Sequence, residues 1–348
     1  MKSVITFYGD LYIQNPLKDF KLNGGHFNII NLEAPVTDCL DNPYPGKVNL
    51  RMEKEDLEKS FKEGWPDVFL LGNNHIMDYG ENGLTDTYHF LKEKNVPFLG
   101  AGFIHDHGFN PLFENVGDKK VAFINLVGEN ASPVYANLKR AGVFKISHYE
   151  SLIDHARKQN VDQIILMLHW GAEEVSLPTP GDVELAHKII DYGADLIIGH
   201  HAHRIQSIEK YNGKYIFYGL GNFAFSDIDQ PSYYTEEGQS TRNYKKQNYR
   251  WNNTSLRISY DISKSEVVDI KKLYYEHSTI TEKPLKLSGV VSNIMTSKHY
   301  NKYFKLIYTF NKITIFAINF WRNPQLPKVK HFKMLIRLIT KNKQNEYV

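Results

Sequence analysis

The chain has one cysteine, Cys39, in 348 residues. No internal disulfide can form, and a reducing compartment suits such a chain. Long apolar runs are missing too. No stretch reaches the ~18 uninterrupted apolar residues that a membrane-spanning helix needs. The first ten residues pass straight into a strand-like pattern without the apolar core of a signal peptide. The expectation is a cytoplasmic protein. Charge of one sign is also scarce. A net charge of +3 gives no whole-chain reason to expect a nucleic-acid partner. What is present, 42% apolar and 13% aromatic residues, excludes a disordered chain and suffices for a large core.

The charge is unevenly placed. Residues 298–348 hold eleven Lys and Arg against one acid, Glu346, which leaves the first 297 residues at −7. Within this tail, 300–321 is apolar on every helical face. Residues 329–340 set Phe332, Leu335, Ile336 and Ile339 on one face, with Lys330, Lys333, Arg337 and Lys341 mostly on the other. That is the composition of an interfacial helix on an anionic membrane surface, of an accessory helix packed on the core, or of a patch for an anionic polymer.

The organising stretch lies mid-chain. Leu196–Ile198 reads as a buried strand, Gly199 as a sharp bend or close approach of backbone, and His200, His201 and His203 follow at once. Imidazoles two residues apart can converge on one centre if the backbone curls at a strand end, and imidazole is the commonest ligand for zinc-like metals.

The same grammar recurs along the chain. Val4–Tyr8 is a strand followed by Gly9-Asp10, and Phe27–Leu32 a strand followed by Glu33 and the exit Ala34-Pro35. The apolar run after Asp67 leads into Asn73-Asn74-His75-Ile76-Met77-Asp78, a cluster too rich in poor strand formers to be building a sheet. An amide oxygen there can ligate a metal, and the adjacent His75 can act as proton donor or charge clamp. Lys120–Leu126 and Gln163–Leu168 are strands around a helix at 147–160, and the second ends in His169-Trp170-Gly171-Ala172-Glu173. A helix with Val183, Ala186, Ile189 and Ile190 inward precedes the histidine strand. Further strands read at Val96–Gly100 and Tyr215–Tyr218, and helices at 53–62 and 83–94. Asp10, Glu33, Asn74/His75, His169 and His201/His203 thus stand at the ends of five separate strands. Sheet strands bring such ends together in space, which points to a metal site. The βαβ rhythm points to an α/β fold with parallel pairing.

Beyond residue 225, the polar, tyrosine-rich stretch 230–251 reads as a long surface loop. Ser255–Tyr260 and Glu266–Tyr274 read as an antiparallel hairpin. The expected organisation is a domain over 1–278 and a basic helical extension over 279–348.

Taken in order, Gly9-Asp10, Asn31-Leu32-Glu33, Asn73-Asn74-His75-x-x-Asp78-x-Gly80, His169-Trp170-Gly171-x-Glu173, Gly199-His-His-Ala-His203 and Tyr218-x-Leu-Gly-Asn-Phe223 resemble a known family. It is the bacterial capsule-synthesis family of the poly-γ-glutamate (CapA) type, a branch of the calcineurin-like metallophosphoesterases. The resemblance covers about residues 4–225. It implies a four-layer α/β/β/α sandwich with two mixed sheets, and a divalent metal centre of one or two ions (Mn, Zn or Fe) at the strand ends. By position it implies Asp10, Glu33, Asn74, His169, His201 and His203 as metal ligands. His75 would be the acid or charge stabiliser beside substrate, with Asp78 and Glu173 in supporting or substrate-binding roles.

The chain departs from the wider pattern at Asp10-Leu11-Tyr12, where phosphoesterases have Asp-x-His, at Ala202 for proline and at Gly219 for serine. The implied function is a metal-dependent hydrolase or transferase of phosphoester or amide bonds in capsule or cell-surface polymer synthesis. The alternative is a non-catalytic metal-binding assembly subunit of a membrane-bound synthesis or export complex. The implied partners are an anionic polymer or phosphorylated cell-envelope precursor, a membrane-bound polymer synthase, and an anionic surface on the inner membrane face reached through residues 298–348.

Overall fold

Apolar runs alternating with amphipathic helices build the first sheet and its cover. In chain order these are β1 (Val4–Tyr12), β2 (Phe27–Leu32), α1 (Lys54–Ser60), β3 (Val68–Leu70), α2 (Gly80–Glu93) and β4 (Phe98–Leu99). The chain then crosses to a second sheet through β5 (Ala101–Gly102), β6 (Leu112–Val116), β7 (Lys119–Val127), β8 (Gly142–Val143), α3 (Tyr149–Lys158), β9 (Gln163–His169), α4 (Pro180–Tyr192), β10 (Leu196–His200), β11 (Ile208–Tyr211) and β12 (Lys214–Phe217). It returns to the first sheet by β13 (Asn222–Phe225), β14 (Ile228–Tyr233), β15 (Thr241–Lys246), β16 (Thr254–Asp261), β17 (Glu266–Glu276) and β18 (Thr279–Pro284), and ends in α5 (Tyr300–Arg322). The computed structural model describes residues 2–41, 43–104, 109–129, 131–233, 241–287, 292 and 294–322.

Sheet one has the order β18-β17-β16-β1-β2-β3-β4, with β13 also on β1; sheet two has the order β11-β12-β10-β9-β7-β6. Both are mixed. β1 to β4 run parallel, as do β7, β9, β10 and β12, and antiparallel strands stand at the edges. The sheets pack face to face through Phe7, Ile29, Leu70, Phe123, Met167, Ile198 and Ile258. Phe27 stacks on Phe123 across this layer at 5.5 Å between ring centroids. Leu57, Leu84 and Phe90 close the outer face of sheet one, and Leu152, Ile153, Val183 and Ile189 close that of sheet two. The result is the four-layer α/β/β/α sandwich that the family resemblance implies. Val183, Ala186, Ile189 and Ile190 are all buried on α4, as the 3.6-residue period requires.

Three expectations need revision. β1 does not end before Asp10 but runs to Tyr12, with a register break at Asp10/Leu11 where β13 joins it. Backbone hydrogen bonds from β13 and β2 continue a strand whose apolar run had seemed complete at Tyr8. Residues 230–251 are not an irregular loop. β14 and β15 pair antiparallel from Ile228↔Lys246 to Tyr233↔Thr241. The first sheet continues past residue 278, since β18 pairs along β17. The amphipathic pattern at 329–340 lies outside the described residues.

Candidate metal centre

The parallel strands of both sheets end at one end of the sandwich, and each turn there is fixed by local chemistry. Asn73 shapes the turn after β3, its Oδ1 accepting from the amides of His75 at 3.0 Å and Ile76 at 2.9 Å. This frees the next side chain, Asn74, to point across the sandwich. Beyond β10, His201 and His203 adopt positive φ of 84° and 52°. Such a conformation is costly for a side-chain-bearing residue and persists where the surroundings impose it, most often at functional sites. Gly199 cannot carry a side chain, because a Cβ there would lie 2.0 Å from the Tyr218 carbonyl oxygen.

Three side chains from three strands converge. Ligand atoms of Asp10, Glu33 and His169 all lie within 4.8 Å of one another, and each residue is buried. His169 Nε2 is 2.9 Å from Asn74 Oδ1 and 3.6 Å from Glu33 Oε1. His203 Nδ1 is 3.6 Å from Asp10 Oδ2, and the His201 ring stands 4.6 Å from that of His169 between centroids. A spacing of 3.6 Å is too long for a hydrogen bond. Two donors on one cation at about 2.1 Å sit roughly 3.0–3.4 Å apart, so the spacings are close to those of a coordination shell.

Among the described residues, Asp10 Oδ2, Glu33 Oε1, His169 Nδ1 and His201 Nδ1 are buried without a hydrogen-bond partner. Buried polar atoms are seldom left so. The two carboxylate oxygens, with His169 Nε2 3.6 Å from Glu33 Oε1, are donor types that fit a divalent cation of the borderline kind.

The protonation states agree. Burial, reinforced by the neighbouring histidines, holds His169 well below its ordinary range. Burial likewise brings His201 down to about 4. Both rings are neutral at pH 7 and have a lone pair to offer. Burial and then the Asp10 carboxylate push Glu33 well above its ordinary value. Two carboxylates crowded out of water repel each other, and a cation between them removes that cost.

Around this cluster lies a ring of charge. His75 Nδ1 pairs with Asp78 Oδ2 at 2.6 Å, and Lys47 Nζ pairs with Asp78 Oδ1 at 2.6 Å. Burial and then the Lys47 charge lower the His75 pKa, so the ring is neutral. With Nδ1 engaged, Nε2 is the nitrogen left for a substrate. Burial would raise Glu173, but Lys246 and, where they are protonated at low pH, His201, His203 and His75 attract its carboxylate and bring it to about 2. A cavity of about 510 Å³ opens beside the cluster, lined by Lys47, Asn74, Ser132, Glu173, His201 and, from α5, Tyr308 and Lys312. A second, of about 300 Å³, is lined by Lys47, His75, Glu173, His203, Asn222 and Lys246.

All nine residues singled out in the sequence are therefore in one region. Asp10, Glu33, Asn74, His169, His201 and His203 form the inner cluster, His75 and Glu173 stand at its cavities, and Asp78 lies behind His75 and Lys47. Four contributors escaped notice. Asn31 donates one Nδ2 to both Asp10 Oδ1 at 2.8 Å and Glu33 Oε2 at 2.5 Å, clamping the carboxylates. Asn222 Oδ1 stands 2.8 Å from His203 Nδ1. Lys47 also donates to the Asn74 carbonyl at 2.5 Å, and Lys312 arrives from a helix 300 residues away from Asp10. Asn31 and Asn222 sit in the very motifs quoted above, where strand-end position was the available signal. Nothing local marks Lys47 or Lys312. His200, which the motif includes, turns away, its Nε2 meeting the Tyr8 carbonyl at 3.2 Å.

The α/β/β/α sandwich thus carries a buried carboxylate–imidazole cluster at its strand ends. Residues 6–227 match the family described as "Bacterial capsule synthesis protein PGA_cap", and the chain belongs to that family. It is 31% identical over 232 residues to "Capsule biosynthesis protein CapA" of Bacillus anthracis, spanning 65% of this chain and 56% of that one. It is 32% identical over 206 residues to the "Probable polyglutamine synthesis accessory protein Rv0574c" of Mycobacterium tuberculosis, spanning 56% and 54%. The chain thus spans about half the length of the curated relatives it matches. Among solved structures it is similar to the NAD nucleotidase of Haemophilus influenzae, at 16% identity and a TM-score of 0.41 over 68% of this chain and 46% of that one. Among the described residues, no helix is long and apolar enough to cross a membrane.

Proposed function

We propose that this chain is a metal-dependent hydrolase or transferase of phosphoester or amide bonds, acting on an anionic polymer or phosphorylated precursor in capsule or cell-surface polymer synthesis. The observation that carries the reading is the convergence of Asp10, Glu33 and His169, with an unpartnered oxygen on each carboxylate, beside a lysine-lined cavity. Those residues, with Asn74 and His203, would hold one or two divalent ions. Such an ion supplies Lewis acidity toward a phosphoryl or carbonyl oxygen.

The chain's own groups have separate tasks. Lys47 and Lys312 present positive charge to an anionic substrate. Asp78 fixes the His75 ring by accepting from Nδ1, so the neutral ring offers an Nε2 lone pair that must take up a proton before passing it to a leaving group. Glu173, held ionised, offsets the positive field of the cavity wall.

A second reading, an assembly subunit that keeps its metal without turnover, is favoured by the "accessory" role in the name of the Mycobacterium tuberculosis relative. Metal analysis of purified protein, with turnover on synthetic phosphodiesters and γ-glutamyl peptides, separates the two. The enzyme reading expects about one or two ions per chain and a His75→Ala variant that keeps its metal and loses turnover. Stoichiometric metal with no reaction on either substrate class leaves the assembly reading.

A further inference from the structure

Helix α5 has two faces of opposite character. Its inner face is fastened to the domain along the whole length. Tyr300 donates to the Pro178 carbonyl at 2.6 Å, and Phe304 is buried against Ala172 and Val175. Tyr249 donates to Asn319 Oδ1 at 3.0 Å, and Arg322 reaches the carbonyls of Gln247 and Asn248. The outer face carries Tyr303, Leu306, Phe310, Ile313 and Phe320 at alternating spacings of three, four and seven, a single stripe on a helix. They are exposed, Leu306 by 68% and Phe310 by 65%, and Trp321 at the end by 85%. Apolar residues scattered singly on a surface need no explanation, but a continuous aromatic stripe does.

We infer that this face of α5 lies flat on an anionic lipid bilayer. The charge pattern selects that occupant. From Tyr300 to Arg322 the helix has Lys302, Lys305, Lys312 and Arg322 and no acid. The sequence that follows adds Lys328, Lys330, Lys333, Arg337, Lys341 and Lys343 against Glu346. A second copy seated on the stripe would set these cations against their own kind. An anionic headgroup layer matches them, while the rings and aliphatic side chains enter the acyl boundary. The helix is 23 residues, and none of the described helices is apolar enough to cross a membrane, so it rests on the surface.

The consequence reaches the metal centre. Tyr308 and Lys312 of the same helix line the larger cavity. A substrate held at the lipid headgroups is then about one helix diameter, ~10 Å, from that cavity.

The test is co-sedimentation of the full chain with phosphatidylcholine vesicles, with and without phosphatidylglycerol. Wild type is expected to bind the anionic vesicles and not the neutral ones. The double variant Leu306→Glu/Phe310→Glu, whose sites are already in solvent, is expected to lose at least about 10-fold in binding while keeping its bound metal. The Trp321 emission should shift to the blue on anionic vesicles and the shift vanish in Trp321→Phe. Equal binding by wild type and the double variant, or equal binding to both vesicle types, overturns the inference. So does a wild-type dimer in solution that the double variant converts to monomer. Because metal retention is read separately, failure here leaves the reading of the metal centre standing.

Discussion

His169 Nε2 lies 2.9 Å from Asn74 Oδ1, although ninety-five residues separate them and each belongs to a different sheet. Amide oxygen and imidazole nitrogen can meet this way as a hydrogen bond or as two donors to one cation. The neighbouring unpartnered atoms of Glu33 and His201 favour the second. Asn74→Ala and His169→Ala are each expected to weaken manganese or zinc binding by at least about 100-fold, read by isothermal titration calorimetry on chelator-stripped protein. His75→Ala, one residue away, should keep its affinity within about 3-fold. A His75 variant as defective as Asn74→Ala would move His75 into the ligand set.

Lys47 is predicted to tune His75 through the charge they share with Asp78. Its ion pair with Asp78 is 2.6 Å long, and Asp78 is almost fully buried. In Lys47→Met the carboxylate keeps, among the described residues, the amide of Leu50 and the His75 ring as partners. The cost is about 3 kcal/mol of stability, the penalty of a buried charge losing its counter-ion. Because Lys47 helps to lower the His75 pKa, its removal should raise that pKa. An NMR titration of the His75 ring that moved down or stayed still would contradict the coupling.

Much of this site was legible because strands deliver their ends to a common place. A carboxylate, amide or imidazole one residue past a buried run is visible in sequence, and five such runs named Asp10, Glu33, Asn74, His169, His201 and His203. Lys47 comes from a loop whose sequence carries no period, and Lys312 from a helix that looked apolar all round until packing chose its inner face. Neither has a local signal. The β14–β15 ribbon was missed for a related reason. Its sequence lacks the apolar alternation by which strands are recognised, and only backbone pairing reveals it.

Close approach of backbone at two glycines should make them intolerant of a single methyl group. A Cβ on Gly9 would sit 1.9 Å from the Gly221 carbonyl oxygen, and one on Gly199 2.0 Å from that of Tyr218. In both cases the obstacle is backbone that cannot rotate away. Gly9→Ala and Gly199→Ala are each expected to cost about 3 kcal/mol or more, measured by urea unfolding. Gly24→Ala, where a Cβ would meet nothing, should cost less than about 0.5 kcal/mol. Comparable losses at Gly24 and Gly199 would remove the steric explanation.

Glu33 and His201 should pull the metal-free protein in opposite directions as pH changes. The folded pKa of His201 is about 4, below the ordinary 6.5. Between those values the unfolded chain binds the extra proton, so this stability is complete above pH 6.5 and is lost as pH falls toward 4, by about 3 kcal/mol in all. Glu33 has its folded pKa raised above 4.5. The folded state then binds the extra proton, so its contribution is present at low pH and is lost as pH rises through the raised value. At pH 7 Glu33 therefore destabilises the empty site, and a bound cation reverses the sign. Glu33→Gln is expected to raise the melting temperature of metal-free protein at pH 7 and to abolish the further rise that manganese or zinc gives wild type. Calorimetry with and without chelator reads both. A Glu33→Gln protein that melts lower than wild type without metal, or still gains from the ion, would show that this carboxylate is held by something other than a cation.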